Sequence, residues 1–388
     1  MPLPARPPLA VFVVRHPDFA GGEAMENRLR AHFTGDPDRA LGERLGVPVE
    51  RRGPDTIPVD LQAGETVAVI VLADAALAAD RAWVAWLEGV VGACDTSDLR
   101  ARPFLVCLDK SALSMSPTVG RFNFLRWDQW EGDDAAKTLR MLTDLDYQCC
   151  RMLRAWISQR AERNRACRDA FAEYLCNVQL FLSHSKHDGD GTGGALATAI
   201  RNHLHQGSGY DSFFDVHDIP AGLPFDTVLM HNVRRGAFLA IVTDSYSSRE
   251  WCRREVIEAK RAGVPMVVAH AVTDREERSF PYLGNVPVVR LDAGRTDRIP
   301  LVVGRLIREV LKDHLWRCRC ALARAAAKRA KVTFVPRTPE LMALAAVRRG
   351  GGLVVYPDPP MAEEESRLFN EVAPRVRLLS FTQWLAQA

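Results

Sequence analysis

The run TVAVIVLA (66–73) constrains this chain more than any other stretch. A strand that alternates apolar with polar residues needs only one covered face, but a continuous apolar run needs both. Both faces are covered when helices cross over a parallel sheet, so the run predicts strands alternating with helices. Its neighbours fit. AVFVV (10–14) and RPFLVCL (102–108) read as further buried strands, while GEAMENRLRAHF (22–33) and RAWVAWLEGVVGAC (81–94) carry helical periodicity. The chain is therefore α/β, with a doubly wound parallel sheet in its first part.

A polar, Arg-rich, proline-free stretch follows at 134–175 and reads as one or two connecting helices. Then the alternation resumes. VQLFLS (178–183), SFFDV (212–216), AFLAIVT (237–243), PMVVAHAV (265–272) and VPVVRL (286–291) are strands. ALATAIRNHLH (195–205), FDTVLMHNVRRG (225–236) and SSREWCRREVIEAK (247–260) are helices. Residues 301–332 read as a long basic helix, and 333–388 as a small strand–helix alternation too short to bury much core alone. The expected segments are 1–145, 146–176, 177–300, 301–332 and 333–388. The two large ones also repeat. VIVLADAALAADRAW pairs with LAIVTDSYSSREW, aligning Asp74 with Asp244 and, after a two-residue offset, Trp83 with Trp251. We read them as distant copies of one fold.

Composition excludes several classes. The 388 residues suffice for two or three domains. A net charge of +3 is no nucleic-acid footprint. No segment reaches the ~18 apolar residues of a membrane span; the best, VAVIVLADAALAA (67–79), is interrupted by Asp74. The start, MPLPARPPLAVFVV, lacks the cleavage site of a signal peptide. Nine cysteines without a CxxC pair fit reduced thiols in the cytoplasm. Cys318 and Cys320, two apart on a helix, point to different faces and make no metal site. GDGTGG (189–194) matches G-x-G-x-x-G, but its strand ends by Ser183, well before Gly189, so it reads as a glycine-rich surface loop. In the basic helix, Leu306, Val310, Leu315, Leu322 and Ala325 supply a buried side, which makes the charged stripe a solvated face.

Three motifs in the second large segment carry chemistry. FLSHSKHD (181–188) ends a strand in serines, a lysine, a histidine and an acid. DVHDIPAG (215–222) leaves a strand into a loop containing a proline and a glycine. SYSSREWCRREV (245–256) is a polar turn running into a helix. In this order the three resemble the boxes of the TIR (Toll/interleukin-1 receptor) domain over about 178–292. The resemblance implies a flavodoxin-like doubly wound parallel sheet. It implies that DVHDIPAG is the family's BB loop, with Asp218, Ile219, Pro220 and Gly222. It also implies NAD cleavage, because Glu255 stands at the acid position, four residues after Trp251, that cleaves NAD in the enzymatic branch of the family. NAD is then a substrate, and no metal or cofactor is implied.

The chemistry can also be argued from the residues. Breaking the nicotinamide–ribose bond builds positive charge on the sugar, and a carboxylate held against it stabilises that charge. Trp251 and Glu255 share a helix face. Phe181, Ser183, Ser185, Asp215, Ser245 and Trp251 are the expected substrate-binding residues, rimming a crevice outside the strands' carboxyl ends. Two departures from the family pattern stand out: Thr243, where a serine often ends the strand, and the glycine-rich insert at 189–194.

The resemblance further implies self-association through TIR domains, with a sensor protein or a nucleotide signal as trigger, and a role as an NAD-depleting effector in phage defence. A non-catalytic TIR signalling and assembly module remains the alternative. A nicotinamide oxidoreductase built on GDGTGG is a weaker one. The first segment departs further from the template. Four residues after Trp83 lies Leu87, not an acid, and Glu88 is turned about 100° away on the helix. RHPDF (15–19) replaces the serine-rich box, and between Arg52 and Val67 there is no room for both a BB loop and a helix. We read 1–145 as a degenerate copy without catalysis, suited to sensing, autoinhibition or assembly.

Overall fold

A computed structural model describes residues 6–36, 44–161, 170–186, 188, 191–205, 211–213, 225–234, 236–275, 279–292, 294–326, 332–340, 342 and 352–387. The chain divides into two compact units, residues 1–176 with 317–326 and residues 177–316 with 327–388.

The first unit comprises β1 (Leu9–Arg15), α1 (Gly22–Thr34), β2 (Val49–Arg52), β3 (Thr66–Ala73), α2 (Ala75–Ala79), α3 (Arg81–Asp95), β4 (Ala101–Cys107), α4 (Pro117–Gly120), β5 (Phe124–Leu125), α5 (Asp134–Ala161) and α6 (Ala170–Leu175). Its strands pair in the order β2-β1-β3-β4-β5, all parallel. The apolar run TVAVIVLA is β3, the central strand, and every residue of it is buried. Helix α3 begins where the Asp80 carboxylate accepts from the Ala82 and Trp83 amides, an N-cap of the usual kind. It buries Trp83, Leu87, Val91 and Cys94 at helical spacing against the sheet. Strand β2, VERR, has no apolar run and did not stand out in the sequence. No helix separates it from β3.

The second unit contains β6 (Gln179–His184), α7 (Thr192–His205), β7 (Asp211–Phe213), α8 (Phe225–Val233), β8 (Ala237–Val242), α9 (Glu250–Ala262), β9 (Met266–His270), β10 (Val288–Arg290) and the first part of α10 (Ile299–Ala326). Its strands lie in the order β10-β9-β8-β6-β7, again all parallel. Numbered within its own unit, each sheet runs second, first, third, fourth, fifth. That is the flavodoxin-like order. In the core of this unit the Phe181 and Phe238 rings stack at 5.4 Å, and Cys252, Val256 and Ala259 pack down from α9. Leu306, Val310, Leu315 and Leu322 are buried along α10, and its described part ends at Ala326.

A third parallel sheet, β11 (Val332–Phe334), β12 (Gly352–Tyr356) and β13 (Val376–Ser380), with α11 (Glu363–Val372) and α12 (Phe381–Gln387), completes the second unit. Its rings cluster: Trp316 meets Phe381 at 5.3 Å and Phe334 meets Trp384 at 5.4 Å. The segment before β12 is anchored at the end of α9. Gly263 closes that helix in the left-handed region (φ 66°), and a Cβ there would come within 2.9 Å of Pro336. The Lys260 ammonium, its side chain 3% exposed, pairs with Glu340 and donates to the Gly284 carbonyl at 2.7 Å. Burial pulls Lys260 below the ordinary lysine range, and Glu340 offsets part of that. Among the described residues no helix is long and apolar enough to cross a membrane.

Candidate functional site

The strand order of the second unit changes direction between β6 and β8, since β7 lies to one side of β6 and β8 to the other. In open α/β sheets ligands bind outside the carboxyl ends of the strands at such a switch. What stands there follows from local structure. Along β6 side chains alternate, so Phe181 and Ser183 share a face. After β8 a short turn, Tyr246–Ser248, leads into α9. Helix α9 buries Cys252, Glu255, Val256 and Ala259. At 100° per residue, Glu255 falls at one edge of that stripe, and Trp251 lies about 40° beyond it. Helical spacing therefore sets the acid at the boundary of the core and the tryptophan just outside.

The geometry bears this out. Glu255 is 8% exposed and Trp251 42%. Both line one cavity of about 410 Å³, together with Phe181, Ser183, Ser185, Lys186 and Arg249, a volume in the range of small-ligand sites. The Ser183 hydroxyl donates to Glu255 Oε2 at 2.5 Å and lies 2.7 Å from the Tyr246 hydroxyl. Ser183 and Tyr246 are both buried. The Arg254 guanidinium sits over the Trp251 ring, 4.4 Å from its centre. Cys252 also lines the cavity. Burial first, and the Glu255 charge second, push its thiol far above the usual range, which disfavours the reactive thiolate.

A second polar cluster lies beside the first and is organised by Asp188. Its carboxylate accepts from Thr243 Oγ1 at 2.9 Å, Ser245 Oγ at 2.5 Å and the Gly193 amide at 3.0 Å. Ser245 in turn meets Ser185 Oγ at 2.7 Å. Asp188, Thr243 and Ser245 line a smaller cavity of about 150 Å³ with Thr192, Asp244 and Thr273. Asp244 accepts from the Thr273 amide at 2.7 Å, a bond that holds its carboxyl below the ordinary range.

Of the residues expected from the sequence, the structure therefore brings Phe181, Ser183, Ser185, Trp251 and Glu255 to one cavity. Phe181 forms a wall, because its ring is spent in the core stack. Ser245 sits in the neighbouring cavity and reaches the main one through Ser185. Asp215 and the loop residues Asp218, Ile219, Pro220 and Gly222 lie outside the described residues. Thr243, the residue that follows β8, hydrogen-bonds Asp188, so its hydroxyl has work a serine could equally do. Two residues escaped the sequence reading. Tyr246 was visible only as an aromatic among serines, and Asp188 only as the last letter of FLSHSKHD; neither position signals its partners.

Fold and site together define a flavodoxin-like α/β module with a ligand-sized cavity, floored by a carboxylate, at its switch point. Residues 180–300 match the family model described as TIR domain, so the chain carries a TIR domain over that span. No curated protein matches it. TIR domains are signalling and assembly modules that generally self-associate.

Proposed function

We propose that the TIR domain of this chain cleaves NAD at the nicotinamide–ribose bond. The observation that carries the reading is the Glu255 carboxylate, buried at the cavity floor with a serine hydroxyl bonded to one oxygen, four residues from an exposed tryptophan. As the glycosidic C–N bond breaks, nicotinamide leaves with the bonding electron pair and the ribose carbon becomes cationic. The Glu255 charge stabilises that carbon from a largely buried position, 8% exposed, where electrostatic effects are stronger than in open solvent. Water then adds to the carbon, its proton passing to solvent, and ADP-ribose results; attack by the adenine of the same molecule gives a cyclic product instead. Trp251 offers a face for a flat ring. The cavity suits the nicotinamide riboside end, and Lys186 and Arg249 put positive charge in its lining. Nicotinamide is a good leaving group, so a single carboxylate serves without a second acid.

The biological setting on this reading is an effector that depletes NAD in phage defence, switched on by assembly of TIR domains after a sensor protein or nucleotide signal arrives. The first unit, with leucine at the place of Glu255, is a non-catalytic copy suited to sensing, autoinhibition or assembly. The test is direct. Purified full-length protein, at high concentration to favour assembly, is incubated with NAD and free nicotinamide is measured. Wild type should release nicotinamide, and Glu255→Gln should release it 100- to 1000-fold more slowly, the usual loss for one well-placed electrostatic group, with an unchanged melting curve. Turnover near wild type in Glu255→Gln removes the assignment. Intact NAD with self-association points to an assembly module without catalysis, and conversion of NAD to NADH to an oxidoreductase.

A further inference from the structure

The hydrogen bonds around Glu255 have a direction. Ser183 owns one hydroxyl proton, and it is donated to the Glu255 carboxylate at 2.5 Å. The contact between Ser183 Oγ and the Tyr246 hydroxyl, 2.7 Å, must then be filled by the tyrosine as donor. Tyr246 keeps its proton for that purpose. Burial pushes its phenol well above the ordinary range, and the neighbouring Cys252 and Glu255 push the same way. The result is a one-way chain, Tyr246 to Ser183 to Glu255, joining three elements: the turn after β8, the end of β6 and the second turn of α9. Tyr246 is wholly buried. A phenylalanine would fill its place in the core equally well, so packing does not account for the hydroxyl.

We propose that Tyr246 and Ser183 are positioning residues for Glu255, a two-step relay that holds its carboxylate in one orientation toward the cavity. The catalytic consequence rests on the NAD-cleaving reading above. Each donated bond favours the charged carboxylate over the neutral acid, and donors linked in a chain polarise one another, so Ser183 is a better donor with Tyr246 behind it. Among the described residues, the titratable and charged groups that line the same cavity are Cys252, Glu250 and Arg249 at the start of α9, with His184 and Lys186 at the end of β6.

The experiment uses the full chain with Tyr246→Phe, Ser183→Ala, Ser183→Thr and the double variant Ser183→Ala/Tyr246→Phe, each checked by thermal melting. We expect kcat to fall about ten-fold in Tyr246→Phe and about a hundred-fold in Ser183→Ala, with KM changed less than about two-fold. The acid limb of the pH profile should move to higher pH in both. Ser183→Thr, which restores the hydroxyl, should recover most of the rate. Because Tyr246 acts through Ser183, the double variant should be no slower than Ser183→Ala alone. Additive losses, or a Tyr246→Phe variant with wild-type kcat and pH profile, overturn the relay. A readout independent of turnover separates this from the reading beneath it. With carbon-13 in the glutamate carboxyls, the Glu255 signal is identified by its loss in Glu255→Gln and followed through a pH titration. A midpoint that rises in Tyr246→Phe, and further in Ser183→Ala, supports the relay even in a protein that leaves NAD intact. A midpoint unmoved by both substitutions overturns the relay even in a protein that cleaves NAD.

Discussion

The two five-stranded sheets share a strand order, and in each the third strand leads to a helix with a tryptophan in its first turn. In the first unit Trp83 is 7% exposed. Its ring packs edge-on against His16, 5.1 Å away, in the residue that follows β1. It also lies over Gly53, where a Cβ would come within 2.5 Å of the indole. Four residues on, Leu87 is fully buried. Glu88, the nearest acid, accepts a hydrogen bond from Ser116 instead. In the second unit the residue after β6 is Ser185, the tryptophan stands 42% exposed, and the residue four further on is Glu255. One frame thus ends in a plug of aromatic and aliphatic side chains, the other in an open cavity with a carboxylate at its floor. An exposed indole and a buried acid both work against stability. Their presence together in the second unit is the pattern of a site rather than of a core.

The comparison can be broken most easily at the tryptophans. Trp83→Ala removes a buried ring and leaves a cavity, so it should cost the first unit about 3–5 kcal/mol. Trp251→Ala should cost the second unit less than about 1 kcal/mol, because much of the ring is already in water, yet it should slow nicotinamide release. Chemical denaturation followed with probes in each unit reads both effects, and two transitions are expected if the units unfold separately. Equal losses of stability would make Trp251 a core residue and the likeness between the helices merely architectural.

The next effect tests what holds the two helices at their far ends. Helix α3 ends at Thr96, and its last residue, Asp95, accepts from Arg121 at 2.8 Å in an exposed pair. Helix α9 is tied through Lys260 to Glu340. Glu340→Ala leaves a buried ammonium without its carboxylate and should destabilise the second unit by on the order of 3 kcal/mol. The first unit's transition should not move. A second unit unaffected by the change would mean that the Gly284 carbonyl alone satisfies Lys260.

How much of this was legible in the sequence differs between the strands and the site. Continuous apolar runs such as 66–73 can satisfy both their faces in only one way, so the central strands stood out clearly. The edge strands of the first sheet did not: VERR has charged residues where it meets water, and its pairing to β1 depends on register with Val11 to Val14, which no local pattern carries. At the site, helical spacing was enough to associate Trp251 with Glu255. The partners of Glu255 are separated from it along the chain, Ser183 by 72 residues, and meet it only once β6 and β8 lie side by side. Ser245 and Ser185 look alike in sequence. The carboxylate of Asp188, drawing Ser245 to itself, decides which of them faces the main cavity.

The smallest effect concerns Arg254, whose guanidinium covers the Trp251 ring at 4.4 Å. Trp83 has no such cover; its ring is held by His16 and Gly53 from within the unit. An exposed cation–π pair is worth about 0.5–1 kcal/mol, so Arg254→Ala should lower the stability of the second unit by no more than that. Its effect on turnover should follow from what the arginine does to the indole. Arg254 lies over the ring and restricts it. Without it the indole samples more orientations, each bound ligand must first order it, and the cost falls on binding rather than on the chemical step. KM should therefore rise by about two- to five-fold while kcat stays within two-fold, since neither Glu255 nor Ser183 is touched. Arg254→Lys, a compact charge without a planar face, should lie between the two. A fall in kcat with KM unchanged would place Arg254 against the reacting sugar, and would bring the difference between the two helices down to charge near the cavity rather than freedom of the ring.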